Sequence, residues 1–566
     1  MTLMTRLLGR IGHLPRASTH KVLVEKDLRT KTPDGIELLA DHYYAKDGGE
    51  KDPIVLVRTP YGRSGITALL MRTLAERGYQ LVLQSVRGTA GSGGKFDPTS
   101  TTSQASDGIA TMKWLKDQKW FSGKVAMTGA SYLSVCLWAI ATSSPPEYLM
   151  AIVPSLDATD SRMVFKSGGS FAYDMGLATA YLWRNRAMVP QTGDPQPGAL
   201  KRTLALVLVG LSPKVNPAFG YIPVGKADEL VFGSRDETYQ RILEAVQSDL
   251  DLFDDQDLSK RVKDVTIPAH LVDGWYDVML PGMLKDYASL KASGRNPYLT
   301  IGPWTHLNPR SQLVALKESI AWFDVHLRGD ASKLRKDPVS VYVMGKNRWL
   351  GLSDWPPREM RQTRWYLLAD RVLADSSPPD GQSPDSYDYD PKNPTPSVGG
   401  SSLGGQKDNR GLESRADVLC YTSAAFDMEY TIIGPVSADL YVKSSLRNTD
   451  FFARLCDVYP RGKSINICDG IMSLRPSDFD GGSDGTAHIT FDLWPTAHCF
   501  LVGHRMRLQV SSGSHPRFLR NLGSGEPIAT ATTFRVAHQE IMHDSMHPSS
   551  VLLPVYEGVA GKQEPS

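Results

Sequence analysis

Three short segments carry side chains that could do covalent chemistry together. The first is Gly129-Ala130-Ser131-Tyr132-Leu133. It follows an apolar run at residues 125–128 and precedes a helical pattern, so Ser131 falls on a tight strand-to-helix turn. Such a turn holds a serine Oγ above a sheet edge, and the small Gly129 and Ala130 let it close. The helix N-terminus behind it favours a developing negative charge. The match to G-x-S-x-G is incomplete, because Leu133 stands where the pattern has glycine. Alone, the segment reads better as an inert turn serine than as a nucleophile.

The other two segments supply an acid and a base. Residues 270–277 read His-Leu-Val-Asp-Gly-Trp-Tyr-Asp and end on Asp277; residues 299–306 read Leu-Thr-Ile-Gly-Pro-Trp-Thr-His and end on His306. In parallel-sheet hydrolases the order is Ser, Asp, His, with acid and base beyond the ends of later strands. Of the 13 histidines, His306 is the one in that place. His326 in a helical pattern reads as surface or packed, and His270 on an apolar strand as a core residue. His543 and His547 stand four apart, but Pro548 and the lack of helical periodicity argue against a metal pair. Asp273 rivals Asp277, which is preferred because it lies beyond the apolar strand. Asp157 and Asp160 read as helix caps rather than a paired-carboxylate site. Trp183 and Phe171 could face a cleft or join helices.

Positioning these side chains requires parallel strands, and the surrounding text supplies them. Apolar runs at 54–58, 81–83, 125–128 and 151–153 alternate with helical patterns such as Ile66, Leu69, Leu70 and Leu74. This alternation predicts βα units and a mostly parallel sheet. It lapses after Asp157, where helices are expected over 171–186, 204–211 and 238–246, the last capped by Asp236. It resumes with strands at 269–272 and 298–301 and helices at 282–292 and 312–327. The economical layout is an α/β domain (residues 1–156 and 262–334) interrupted by a helical cap insertion (157–261). Beyond residue 335, strands are expected at 339–344, 363–368, 431–442, 451–458, 465–472, 488–494, 506–511 and 530–536. They predict a two-sheet sandwich or jelly roll over 335–566. The Ser-, Pro-, Gly- and Asp-rich residues 375–410 read as a mobile surface connection.

Composition narrows the function classes. The 566 residues are 41% hydrophobic and 22% charged, which excludes a disordered or collagen-like chain. Lys+Arg 63 against Asp+Glu 61 leaves a net charge of +2, with no field or basic block for nucleic acid or an anionic membrane. The five cysteines are odd in number, widely spaced and without C-x-x-C, so they read as core residues. The longest apolar run, 204–211, is far short of the ~18 residues of a spanning helix. Residues 1–21 hold Arg6, Arg10 and Arg16 and no acid, but Arg10 and His13 break up any signal-peptide core. A cytoplasmic protein is expected, with an organelle transit peptide as the alternative.

The three segments together resemble the cocaine esterase, α-amino-acid ester hydrolase and X-prolyl dipeptidyl-peptidase family of serine hydrolases. Two more match. Arg58-Thr59-Pro60-Tyr61 resembles the family's Arg-x-Pro-Tyr segment, and Val86-Arg87-Gly88 with Gly91 and Gly93 resembles its Arg-Gly-x-Gly loop. The resemblance runs from Pro33-Asp34-Gly35 to His547-Pro548-Ser549 and Leu553-Pro554. It implies an α/β-hydrolase domain with an inserted helical cap domain and a C-terminal β jelly-roll domain. It implies Ser131 as nucleophile, His306 as general base and then acid, and Asp277 as the group orienting the imidazole. The oxyanion hole it implies is the Tyr61 hydroxyl with the Tyr132 amide, which fits the absence of an HGGG-type loop. No metal or organic cofactor is implied.

Two departures matter. Ser134 replaces a frequent glycine and is small enough to keep strand and helix close. The α-amino-acid ester hydrolases place carboxylates just after the catalytic Asp to hold an ammonium, whereas this chain has Val278, Met279 and Leu280. An uncharged wall cannot repay the desolvation of an ammonium. An apolar acyl pocket is therefore expected, with Trp275, Val278 and Met279 as substrate-binding residues and side chains drawn from all three domains. The expected activity is cleavage of a small-molecule carboxylic ester, or amide, through an acyl-enzyme. Acyl transfer, an X-prolyl-type peptidase on the same triad, and a non-catalytic jelly-roll binding protein are the alternatives.

Overall fold

The computed structural model describes residues 3–19, 21–49, 51–184, 215–248, 258–401, 404–480 and 485–558. The apolar runs of the first half enter one ten-stranded sheet. At its centre Gln80–Ser85, Ile54–Thr59, Val125–Ala130, Leu149–Ser155, His270–Tyr276 and Tyr298–Thr305 lie side by side in that order, all parallel. Helices on both faces leave no wet side, so these strands read as continuous apolar text rather than alternating text. Ile54–Thr59 is buried at all six positions. Strand order reverses between Ile54–Thr59 and Val125–Ala130, a switch point of the kind where open α/β sheets bind ligands.

The insertion contains the expected helices Tyr173–Arg184 and Glu237–Ser248, joined through Tyr173, Leu177, Tyr239 and Ile242. Asp236 caps the second, accepting the Tyr239 N–H at 3.0 Å. The helix expected at 204–211, and residues 185–186 of the one expected at 171–186, lie outside the described residues. At the N-terminus the helix Leu3–Ile11 packs on Gly65–Ala75, and the Thr5 hydroxyl donates to Glu76 at 2.9 Å.

The C-terminal β domain holds eleven strands, among them Met360–Leu368, Tyr430–Ser444, Thr449–Val458, Ser464–Leu474 and Ala487–Phe500. Three expectations need correction. The strand read at 339–344 as the opening of the sandwich is Val339–Val343, which pairs in parallel with Tyr298–Thr305, and Arg348–Leu352 extends that same sheet. Alternating text cannot say which of two sheets a strand joins. Residues 530–536 are not a strand; the ladder starts at Ala537–Met542, whose partner Asp385–Tyr389 lies inside the supposed mobile connection. That strand was hidden because its only apolar residues, Tyr387 and Tyr389, are set among acids, yet both rings are buried.

The two sheets share one continuous core, from Ile54 and Leu56 to Leu440 and Phe500. All five cysteines are free, four of them buried and Cys420 partly so. Among the described residues no helix is long and apolar enough to cross a membrane.

Candidate active site

Ser131 sits between the strand Val125–Ala130 and the helix Tyr132–Ala141 with φ 56° and ψ −130°, a conformation that costs on the order of 1–3 kcal/mol for a residue with a Cβ. Its surroundings enforce it. The Ser131 amide donates to Ser155 O at 3.0 Å, and the Ser155 amide donates to the Ser134 hydroxyl at 3.1 Å. Ser134 thus preserves the close contact and adds a bond that glycine could not make. A Cβ on Gly129 would lie 2.5 Å from Leu133 Cβ. Leucine is therefore admitted at the motif's fifth position because the first gives up its side chain.

Asp277 and His306 follow the ends of His270–Tyr276 and Tyr298–Thr305. His306 Nδ1 lies 2.9 Å and 3.1 Å from the two Asp277 oxygens, and His306 Nε2 lies 3.1 Å from Ser131 Oγ. These partners assign the proton to Nδ1 and leave Nε2 to accept from the serine. Asp277 is fully buried and also accepts the Met279 amide at 2.9 Å, which fixes its carboxylate. Burial alone would lower the His306 pKa, but the charge of Asp277 and the hydrogen bond to it outweigh burial, and the net shift is upward. Asp273, the rival acid, stays on its strand with Oδ1 accepting the Gly274 amide, whereas His306 Nδ1 is bonded to Asp277.

Tyr61 lies just past Ile54–Thr59, with its hydroxyl hydrogen-bonded to Ser131. Burial pushes its pKa up to about 12, so at neutral pH it remains a phenol with a proton to donate. The Tyr132 amide belongs to the first turn of its helix, where N–H groups have no intrahelical acceptor. The Tyr132 ring packs edge-on against Phe96.

A cavity of about 340 Å³ opens over Ser131 and His306. Its lining includes Tyr61, Leu70 and Met71, Met175 and Trp183 of the insertion, and Leu316. The described lining runs from Tyr61 to Leu316, so no sandwich residue takes part, contrary to the expectation of three contributing domains. Met279 lines the cavity. Trp275 does not: its indole N–H donates to Tyr342 O at 2.8 Å and its ring lies against Trp355. Val278 packs into the helical core of the insertion instead. Trp275 is still on the strand and turns to its far face, and the adjacent Val278 and Met279 point different ways, so among the described residues only one of the three reaches the pocket. Trp183 lines the cavity and Phe171 is fully buried among the insertion helices, so each open reading resolves differently.

Asp160 caps the short helix Ser161–Val164, but Asp157 caps none of the described helices and lines the cavity, a correction to the paired reading as caps. Nothing in its spacing marked it, since it lies in irregular chain after a strand. His270 bonds Thr300 Oγ1 inside the core, and among the described residues no His, Cys, Asp and Glu group could hold a metal.

Two family models match the chain: X-Pro dipeptidyl-peptidase (S15 family) over residues 34–308, and the X-Pro dipeptidyl-peptidase C-terminal non-catalytic domain over 333–552. The chain is 30% identical to the cocaine esterase of Rhodococcus sp. (strain MB1 Bresler), covering 92% of this chain and 96% of that one. Among solved structures it resembles an aminopeptidase from the marine sediment archaeon Thaumarchaeota archaeon, with 21% identity, TM-score 0.81 and coverage of 96% and 97%. It resembles an α-amino-acid ester hydrolase equally, with 22% identity, TM-score 0.81 and coverage of 96% and 98%. At these identities the two structures speak for the fold alone.

Proposed function

The chain belongs to the cocaine esterase and X-Pro dipeptidyl-peptidase (S15) family of serine hydrolases and is an ester hydrolase, and on that premise we propose that Ser131, His306 and Asp277 are its catalytic triad. In this reading Ser131 Oγ attacks the ester carbonyl carbon while His306 Nε2 takes the hydroxyl proton. The carbonyl oxygen becomes an oxyanion held by the Tyr61 hydroxyl and the Tyr132 N–H. Collapse expels the alcohol, which leaves with the proton from His306, and Ser131 carries the acyl group. Water, deprotonated by His306, then releases the acid and restores the serine. Asp277 holds the imidazole in its working tautomer and offsets the charge it gains.

The observation that carries this reading is the single line of contacts from Asp277 through His306 to Ser131 Oγ. Intact mass after a fluorophosphonate probe tests it. One adduct is expected on the wild type and none on Ser131→Ala or His306→Ala, with labelling accelerating as pH rises through the raised His306 range, because only the neutral imidazole is a base. A folded wild type that takes no adduct, or an adduct surviving in Ser131→Ala, would overturn the assignment. The acyl side of the cavity is proposed to be apolar, with Met279 in its wall. The five free cysteines support a reducing compartment, the cytoplasm.

A further inference from the structure

Four adjacent strands of the sheet each lead to one polar side chain at the same edge, and the triad uses only three. Val125–Ala130 leads to Ser131, His270–Tyr276 to Asp277 and Tyr298–Thr305 to His306. Leu149–Ser155 lies between the first two and leads to Asp157. Asp157 lines the same cavity as Ser131 and His306, and the residue is only 3% exposed. Its Oδ2 has no hydrogen-bond partner among the described residues. Buried carboxyl oxygens are ordinarily paired, and this one, shielded from solvent on a residue of the cavity wall, has its hydrogen-bonding capacity unused. The backbone beside it is fixed, since the Leu156 amide donates to Val272 O at 2.9 Å.

We infer that Asp157 is a substrate-binding residue whose carboxylic O–H donates to an oxygen acceptor on the acyl group, so that the preferred substrates are esters carrying a neutral ether or ketone oxygen in the acyl chain. This rests on the triad reading and deepens it. Burial first, and then the neighbouring charges of Asp286 and Asp277, hold the carboxyl well above its usual range, against the pull of the Ala158 N–H. A neutral carboxyl offers one donor. Neutrality also suits the chemistry, because Tyr61 lies within the electrostatic reach of Asp157, and an anion there would oppose the oxyanion Tyr61 is to hold. An ammonium is the rival occupant, but it presents three donors. No second carboxylate lines the cavity among the described residues. Asp286 is already engaged by the Thr159 amide and hydroxyl, and Asp277 by His306 and Met279.

The test uses 4-nitrophenyl esters of matched acyl chains: all-carbon, with an ether oxygen replacing each methylene in turn, and with an α-amino group. Each kcat/KM is divided by the ester's alkaline hydrolysis rate to remove intrinsic reactivity. Wild type is expected to prefer one ether ester over the all-carbon ester. Asp157→Leu should lower kcat/KM for that ester about 10- to 100-fold and leave the all-carbon ester nearly unchanged. Asp157→Asn, which keeps an N–H donor, should retain most of the preference and serves if the leucine variant does not fold. Wild type without preference at any ether position overturns the inference, as does equal loss on both esters. A preference for the α-amino ester that Asp157→Asn abolishes would replace the neutral donor with an anion. In all these cases fluorophosphonate labelling of Ser131 persists, whereas failure of the triad reading shows as no labelling.

Discussion

Tyr61 is the residue on which the proposed chemistry leans most after the triad, because it supplies a side-chain donor where a backbone loop is absent. Its amide is held by Thr59 Oγ1 at 3.0 Å, which aims the phenol from the end of Ile54–Thr59 toward Ser131. Removing one oxyanion donor typically costs about 10²–10³ in kcat. Tyr61→Phe is expected to fall by that amount with an unchanged melting curve, since the ring still packs. Full turnover by a folded Tyr61→Phe protein would remove it from the oxyanion hole. The same side chain was legible only through the Arg-x-Pro-Tyr resemblance; nothing in its own spacing marked it as a donor.

At the scale of elements, the tight turn into Tyr132–Ala141 decides whether Ser131 can react at all. Gly129→Ala would bring a Cβ to 2.5 Å from Leu133 Cβ and 2.9 Å from the Leu133 carbonyl carbon. Because backbone is among the atoms met, the helix must shift, and Ser131 with it. Overpacking of this kind costs about 1–3 kcal/mol, and a displacement near 1 Å slows chemistry on the order of 100-fold. Thermal melting and the rate of fluorophosphonate labelling should both register the change, and wild-type labelling in a stable Gly129→Ala protein would show that the turn yields without cost. Local text located this turn from its strand, small residues and helix. It did not show that Leu133 is tolerated because it meets Gly129, a contact between chain segments that only the closed turn creates.

Across the whole molecule, the β domain supports the site, although none of its described residues lines the cavity. The Tyr276 hydroxyl, one residue before Asp277, donates to Asn466 O of the strand Ser464–Leu474 at 3.0 Å. The insertion is tied to the next part of that strand, where the Ser473 amide donates to Gly168 O at 2.8 Å. Tyr276→Phe should cost about 1 kcal/mol of stability and lower kcat more than it changes KM, because it loosens the seat of Asp277 rather than the substrate pocket. Unchanged kcat together with reduced stability would confine the contact to a structural role. We propose that the hydrolase unit be drawn to include Val339–Val343 and Arg348–Leu352, whose ladders complete its sheet, with the β domain beginning after them.

The sequence by itself determined the order and surroundings of the chemistry-bearing residues. A strand followed by a small-residue turn, and two later strands followed at once by Asp277 and His306, are local patterns of burial and turn geometry that neighbouring residues dictate. The change from βα alternation to strand-rich text is equally local, and it announced a β-rich C-terminal part without fixing where that part begins. Only the tertiary structure decided what faces what. Which sheet Val339–Val343 joins, that Met279 but neither Val278 nor Trp275 reaches the cavity, and that Asp157 enters it instead of capping a helix all depend on side-chain direction and long-range packing. Periodicity says that a side chain is buried, whereas the identity of its neighbour is set by segments hundreds of residues away.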